Sequence, residues 1–263
     1  MAEHNVILND VSKIYKSTVK VGGKRRRQKV TALKSVSLAC EKGESIGVLG
    51  QNGSGKSTLM NIIGGQEAPT EGSVYVNSTP SLLGVSAALI GHLSGADNIR
   101  IGCLAKGMSP DRLESAVEDV ARFCDIGDAI HRPMNTYSSG MAARLRFGIA
   151  TTMRPDILLV DEGLSTGDAA FASRASERME KFLADAGSLF VVSHIAKTIQ
   201  DLCERSIWIH QGDLIADGAT SEIGALYDDW VRHKAEGKDE GADRLIERIK
   251  SEFEPAELVI VGG

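Results

Sequence analysis

The chain has 263 residues, of which 42% are hydrophobic, 25% charged and only 5% aromatic, enough for one large α/β domain whose core rests on Leu, Ile, Val and Ala. A net charge of −5 argues against general nucleic-acid binding, which needs a broadly basic face. No apolar run approaches the roughly 20 residues of a membrane span and the N-terminus has no signal-peptide stretch, so a cytosolic chain is expected. Cys40, Cys103, Cys124 and Cys203 lack metal-ligand spacing and read as free buried thiols.

In chain order, Val6–Leu8 and Val36–Leu38 read as short strands. Between them Lys20–Lys29, with Gly22-Gly23 and Lys24-Arg25-Arg26-Arg27, reads as a basic loop rather than a packed element. Its plain reading is a solvated excursion; its sharper one is contact with anionic phospholipid. Glu44–Leu49 reads as a buried strand, followed by a Gly-rich loop and a helix from Lys56 to about Ile63 that Gly64-Gly65 stops. Ser73–Val76 is another predicted strand, and Ser94 to about Ala150 is mostly helical, with Leu113, Ala116, Val117, Val120 and Phe123 at helical spacing. Ile157–Val160 and Leu189–Val192 are short apolar runs that suit a parallel sheet covered on both faces. Gln211-Gly212-Asp213 between Ile207–Ile209 and Leu214–Ala216 is a hairpin signal, and Trp208 and Trp230 read as packing residues. The tail from about Arg232 is charge-rich, with Leu245, Ile246, Ile249 and Phe253 at helical spacing on a peripheral helix.

Three segments carry chemistry. Gly50-Gln51-Asn52-Gly53-Ser54-Gly55-Lys56-Ser57, followed by Thr58, fits the GxxxxGK[ST] phosphate loop and lies between a predicted strand and a predicted helix. Glycines let its backbone turn N–H groups toward phosphate oxygens, and the helix start adds positive dipole. Lys56 neutralises phosphate charge, and the Ser57 hydroxyl can ligate Mg²⁺. Asp161 and Glu162 end the strand Ile157–Val160, at the sheet edge where ligands sit. Asp161 is the candidate for holding Mg²⁺, directly or through water, and Glu162 for the general base. Alone, the pair reads equally well as a solvated strand cap. His194 follows Leu189–Val192; a lone histidine there is usually structural, but its order after the acidic pair makes it the candidate for contacting the γ-phosphate.

Tyr137-Ser138-Ser139-Gly140-Met141 opens the helix Ala142–Ala150. On its own it reads as an N-cap serine starting an ordinary helix. Between the phosphate loop and the acidic strand it resembles the signature loop of ABC ATPases, Leu-Ser-Gly-Gly-Gln, from which it departs at Tyr137, Ser139 and Met141. The resemblance covers the chain to about residue 230. It implies an α/β ABC ATPase nucleotide-binding domain, with a RecA-like P-loop core, a small antiparallel β subdomain and an inserted helical subdomain at about 92–155, ahead of a charged, partly helical tail over 231–263. It further implies ATP and Mg²⁺ as ligands, Tyr15 stacked on adenine, His194 as the switch histidine, and a head-to-tail dimer in which Ser138, Ser139 and Gly140 of one subunit close over nucleotide held by the other.

Within the family the chain is most similar to the teichoic-acid and capsular or O-antigen polysaccharide exporters. Asp125–Leu145, Asp161–Phe171, Leu89–Ile99 and the basic insertion after Tyr15 carry that likeness. It implies an integral membrane permease as partner, which handles a lipid-linked glycan, and a place on the cytoplasmic face of the membrane. The length leaves no room for the C-terminal carbohydrate-binding domain of longer members. One departure stands out: the family's glutamine near the metal falls near Ile90, which cannot ligate. The residues leave other readings open: an ABC ATPase of another transporter or of translation or repair, a P-loop kinase, or a non-catalytic regulatory module.

Overall fold

The computed structural model describes residues 3–21, 24–83, 89–160, 169–184, 186–192 and 196–255. They fall into two compact units, the first comprising 1–81, 156–162 and 187–263, the second 82–155 and 163–186.

The first unit holds two sheets. β1 (His4–Val21) and β2 (Lys24–Glu41) form a long antiparallel hairpin; β3 (Ser45–Leu49) belongs to the other sheet, and β4 (Glu71–Val76) lines the far side of β1, giving the order β2-β1-β4. The three-residue β5 (Ser81–Leu83) carries the chain out of this unit. β6 (Ile157–Val160), β7 (Ser188–Val192) and β8 (Arg205–His210) run parallel to β3 in the order β6-β7-β3-β8, and β9 (Asp213–Ala219) returns antiparallel on β8. β6 and β7 are buried at every residue, the expected pattern for parallel strands covered on both faces. The β8–β9 turn puts Gln211 at φ 51° and Gly212 at φ 87°, the pair of positive angles a two-residue hairpin turn of matching twist requires.

One expectation is corrected. The basic segment is not a loop: β1 and β2 remain paired from Ile14↔Thr31 to Val21↔Lys24 without a register shift. The physical reason lies in the sequence, where Thr18, Val19 and Val21 favour extended backbone and Gly22-Gly23 marks the reversal. Gly22 and Gly23 themselves lie outside the described residues.

The first unit's helices are α1 (Lys56–Ile63), α6 (Ala196–Leu202), α7 (Thr220–Ala235) and α8 (Asp239–Glu252). Trp208 and Trp230 are fully buried and packed with Tyr227, ring centroids 5.2 and 5.8 Å apart, so both are core residues as expected. α8 buries Ala242, Leu245, Ile246 and Ile249, and Lys250 reaches Asp213 of β9 at 2.7 Å.

The second unit contains α2 (Gly95–Ala105), α3 (Leu113–Cys124), α4 (Ser139–Ala150) and α5 (Ala169–Ala184), with short 3₁₀ turns between them. Ile99, Cys103, Val120, Cys124, Leu145 and Ile149 form its core. Phe123, Phe147 and Phe171 pack as a triad, and Arg178 of α5 holds Asp119 at 2.6 Å and Thr151 Oγ1 at 2.8 Å. All four cysteines are buried and unpaired; burial pushes the thiols of Cys40, Cys124 and Cys203 up to about 12, so they are inert at neutral pH. Among the described residues no helix is long and apolar enough to cross a membrane.

Candidate nucleotide site

β3 ends at Leu49, the backbone reverses over Gly50–Gly55, and α1 starts at Lys56. Two glycines make this turn possible. Gly50 sits at φ 151°, where a Cβ would meet the Ile209 carbonyl and approach Ser54 Oγ to 2.6 Å. Gly55 caps α1 at φ 116°, where a Cβ would strike the Ala32 carbonyl and lie 2.9 Å from Leu33 Cδ2. No side chain caps that helix end, which leaves its first-turn N–H groups for an anion, reinforced by the helix dipole.

The loop is pinned from outside by the β8–β9 turn. Gly212 donates its N–H to the Ser54 carbonyl at 2.8 Å, and Lys34 donates to the Gly212 carbonyl at 2.8 Å. The Lys56 ammonium is buried and donates to the carbonyls of Gly50 at 2.6 Å and Gln51 at 2.9 Å, so it is drawn back over its own loop. Ser54 Oγ is buried with no hydrogen-bond partner. A cavity of about 340 Å³ opens here, walled by Asn52, Gly53, Gly55, Lys56, Ser57 and Thr58 and by Ala32 and Val192. An uncapped helix start, a buried cation and the hydroxyls of Ser57 and Thr58 make a lining rich in donors, which fits a polyphosphate. For Mg²⁺ the described residues offer the Ser57 hydroxyl, a hard oxygen of the kind that ion takes. Among the described residues there is no cluster of three His, Cys, Asp or Glu able to hold a metal alone.

Asp161, Glu162, the segment Gly163–Asp168 and His194 lie outside the described residues. Their strands do not. β7 pairs with β3 (Val48↔Val192) and β6 with β7 (Val160↔Val191), so three neighbouring parallel strands end together at Leu49, Val160 and Val192. In the sequence the acidic pair follows directly on β6, and the histidine comes two residues after the end of β7.

Tyr15 flanks α1. Its hydroxyl donates to Glu67 Oε2 at 2.7 Å and lies 3.4 Å from Thr58 Oγ1, while the Lys13 ammonium stands 5.2 Å from the ring centroid. Lys13 also bonds Glu67 Oε2 at 3.1 Å and the Ala68 carbonyl at 2.7 Å. Burial raises the Tyr15 phenol, and the hydrogen bond from Tyr15, with Lys13 behind it, holds the Glu67 carboxyl below its ordinary range. The phenol is therefore neutral and its ring fixed, over a third exposed. Glu67 and Lys13 escaped sequence reading because their partners lie 52 and 55 residues away and no motif joins them. Ala32 and Val192 escaped because cavity walls of this kind have no pattern.

In the second unit, Ser138 is the N-cap of α4, its Oγ accepting from the Met141 N–H at 3.2 Å, and Ser138, Ser139 and Gly140 are all exposed. Tyr137 instead faces inward and donates to the Ala129 carbonyl at 2.6 Å, which explains an aromatic at this position. The backbone around Ile90 is fixed by Asn98: Ile90 N–H donates to Asn98 Oδ1 at 2.7 Å, and Asn98 Nδ2 donates to the carbonyls of Ile90 at 3.1 Å and Ser94 at 2.8 Å.

Comparison with known proteins agrees with this geometry. The ABC transporter family model matches residues 33–165. The chain is 36% identical to the teichoic acids export ATP-binding protein TagH of Lactococcus lactis, over 84% of this chain and 50% of that protein. It is 38% identical to the protein of the same name from Listeria monocytogenes, over 79% of this chain and 62% of that one. It is 42% identical to that of Enterococcus faecalis, over 73% and 43% respectively. The chain thus spans about half the length of the curated relatives it matches. Among solved structures, the ATP-binding subunit of an ABC transporter aligns with TM-score 0.64 at 21% identity over 93% of this chain and 98% of its own. A dimeric ATP-binding cassette bound to ADP and phosphate aligns with TM-score 0.62 at 24% identity over 82% and 98%. These two share the fold, that of an α/β ABC ATPase nucleotide-binding domain. With half of the sequence matched by the family model and the phosphate loop built between β3 and α1, the chain belongs to the ABC transporter family.

Proposed function

We propose that this chain is the ATP-hydrolysing subunit of an exporter of teichoic acid or a related lipid-linked cell-surface polysaccharide, acting as a homodimer on the cytoplasmic face of a membrane beside an integral permease subunit. The observation that carries the reading is the donor-rich cavity around buried Lys56 in a chain of this family. The glycan assignment is supported by the likeness to relatives named as teichoic acids export ATP-binding proteins.

In this reading Gly50–Thr58 bind the phosphates, and Lys56 exchanges its loop carbonyls for β- and γ-phosphate oxygens. Tyr15, held by Glu67, stacks on the adenine. Ser57 and Asp161 hold Mg²⁺, which when bound neutralises developing phosphate charge. Glu162 takes the proton of the attacking water, and His194 orients that water toward the γ-phosphate. Ser138, Ser139 and Gly140 of the mate close the site, presenting the first turn of α4, whose cap leaves donors for an anion.

The test is steady-state ATP turnover by the purified chain with Mg²⁺, combined with depletion in a producing cell. Turnover that Glu162→Gln abolishes, with lipid-linked glycan accumulating inside depleted cells, is expected. A folded chain that binds ATP but never turns it over, alone or with its co-purifying membrane protein, overturns the enzyme reading. Accumulation of some other cargo overturns the glycan.

A further inference from the structure

The β1–β2 hairpin continues past the last residue that β4 holds. β4 pairs with β1 only as far as Ser12, whereas β1 and β2 keep one register from Ile14↔Thr31 to Val21↔Lys24. Beyond Tyr15 the sheet is a two-stranded ribbon, a form only marginally stable in water on its own. Its charge has one sign: from Lys16 to Val30 there are seven lysines and arginines and no aspartate or glutamate, in a chain whose net charge is −5.

The register sorts these residues. Directly opposed residues share a face of a ribbon, and successive pairs alternate between faces. At alternate positions of the register Lys16 stands opposite Lys29, Thr18 opposite Arg27 and Lys20 opposite Arg25, five cations and a threonine. The intervening pairs are Tyr15↔Val30, Ser17↔Gln28, Val19↔Arg26 and Val21↔Lys24, two of which add a further cation. Lys16, Lys29 and Val30 are exposed. Like charges directly opposite one another destabilise a strand pair, and the register holds two such pairs, Lys16↔Lys29 and Lys20↔Arg25, with no acidic residue on the ribbon to offset them. The compensating anions must come from elsewhere.

We propose that this ribbon is a membrane-docking element that lays its basic strands on the anionic phospholipid headgroups of a bilayer. A row of charges spread along a ribbon matches a continuous anionic surface better than a single anionic group. A chain of net negative charge is repelled by such a surface as a whole, so only a local patch of opposite sign holds it there. Docking requires no ATP turnover and stands independently of the catalytic reading.

The experiment is sedimentation of the purified full chain with phosphatidylcholine vesicles, with and without phosphatidylglycerol. Each basic residue near an anionic surface contributes roughly fivefold in partitioning. The chain is expected to sediment only with phosphatidylglycerol-containing vesicles, to be released by salt, and to bind on the order of 100-fold more weakly as K20Q/R25Q/R27Q. The milder K16Q/K29Q, on the exposed base of the ribbon, is expected to lose roughly 25-fold and secures the result should the triple variant misfold by circular dichroism. Equal binding by wild type and folded variants overturns the proposal. So does failure of the wild type to bind anionic vesicles, or its capture by polyglutamate and not by vesicles, which would assign the ribbon to an acidic polypeptide instead.

Discussion

Lys56 is the residue whose burial is hardest to explain without a ligand. Its ammonium lies under its own loop and satisfies itself on the carbonyls of Gly50 and Gln51. A buried cation is retained where an anion is to be met, because desolvation strengthens the pairing that follows. Hydrogen bonds to charged groups are worth about 1.5–3 kcal/mol, so Lys56→Ala is expected to weaken ATP binding by roughly 10- to 150-fold in a fluorescence titration. Unchanged affinity would remove Lys56 from the site. In the proposed mechanism Glu162 would serve the chemical step instead: a positioned base contributes about 10²–10⁴ in rate, so Glu162→Gln should slow turnover by that order at unchanged nucleotide affinity. Normal turnover would reassign the base. Glu67 acts through another residue. Its carboxylate fixes the Tyr15 hydroxyl, so Glu67→Ala should raise the KM for ATP a few-fold while kcat holds, and Glu67→Gln, which can still accept from the phenol, should restore it. A fall in kcat with KM constant would show that Glu67 does not work through Tyr15. The lysine was legible in the sequence because phosphate binding forces residue types into fixed spacing. Glu67 and Asn98 were not, because a hydrogen bond across the fold leaves no local pattern.

Elements were legible where period and punctuation agreed. The helix over Lys56–Ile63 was bounded by the phosphate loop and Gly64-Gly65, and β6 and β7 by apolar runs of strand length. The basic ribbon was hidden because its charge dominated a weak two-residue alternation. The attachment of α8 was also beyond the sequence: apolar spacing showed a helix but not what it packs on. Asp213, just after the β8–β9 turn, accepts from Lys250 of α8 at 2.7 Å and from Lys34 of β2 at 3.2 Å. Burial pushes the Asp213 carboxyl up, but the two lysines outweigh it and hold the group below its ordinary value. A carboxyl depressed on folding lends stability that is fully present above its unfolded pKa, about 3.9, and is lost as pH falls through the folded one. Denaturant midpoints of Asp213→Asn should therefore lie below wild type at neutral pH and converge on it in acid, as the wild-type carboxylate takes up its proton. Parallel profiles would mean that Asp213 carries no share of the clasp.

At the scale of the molecule, the proposed dimer would take the phosphate cradle from the first unit of one copy and Ser138–Gly140 from the second unit of its mate. The first holds the phosphate cradle and the strand ends that lead to Asp161, Glu162 and His194; the second displays Ser138–Gly140 on an open helix start. A signature loop that only capped its own helix would need Ser138 alone, since Ser138 Oγ already satisfies the Met141 N–H and the exposed Ser139 and Gly140 add nothing to α4. Their small size has a use if another molecule's phosphates must come close to the helix N-terminus. The resulting expectation concerns association rather than catalysis. Glu162→Gln, able to bind ATP and slow to cleave it, should run as a dimer in size exclusion with ATP and as a monomer without it. Adding Gly140→Asp, which sets a carboxylate against the incoming γ-phosphate, should return it to monomer while leaving ATP binding by the cradle intact. Adding Lys56→Ala should also return it to monomer, but by losing the nucleotide. A Glu162→Gln dimer that ignores ATP, or one that Gly140→Asp leaves unaffected, would mean that nucleotide is not held between two copies of this chain.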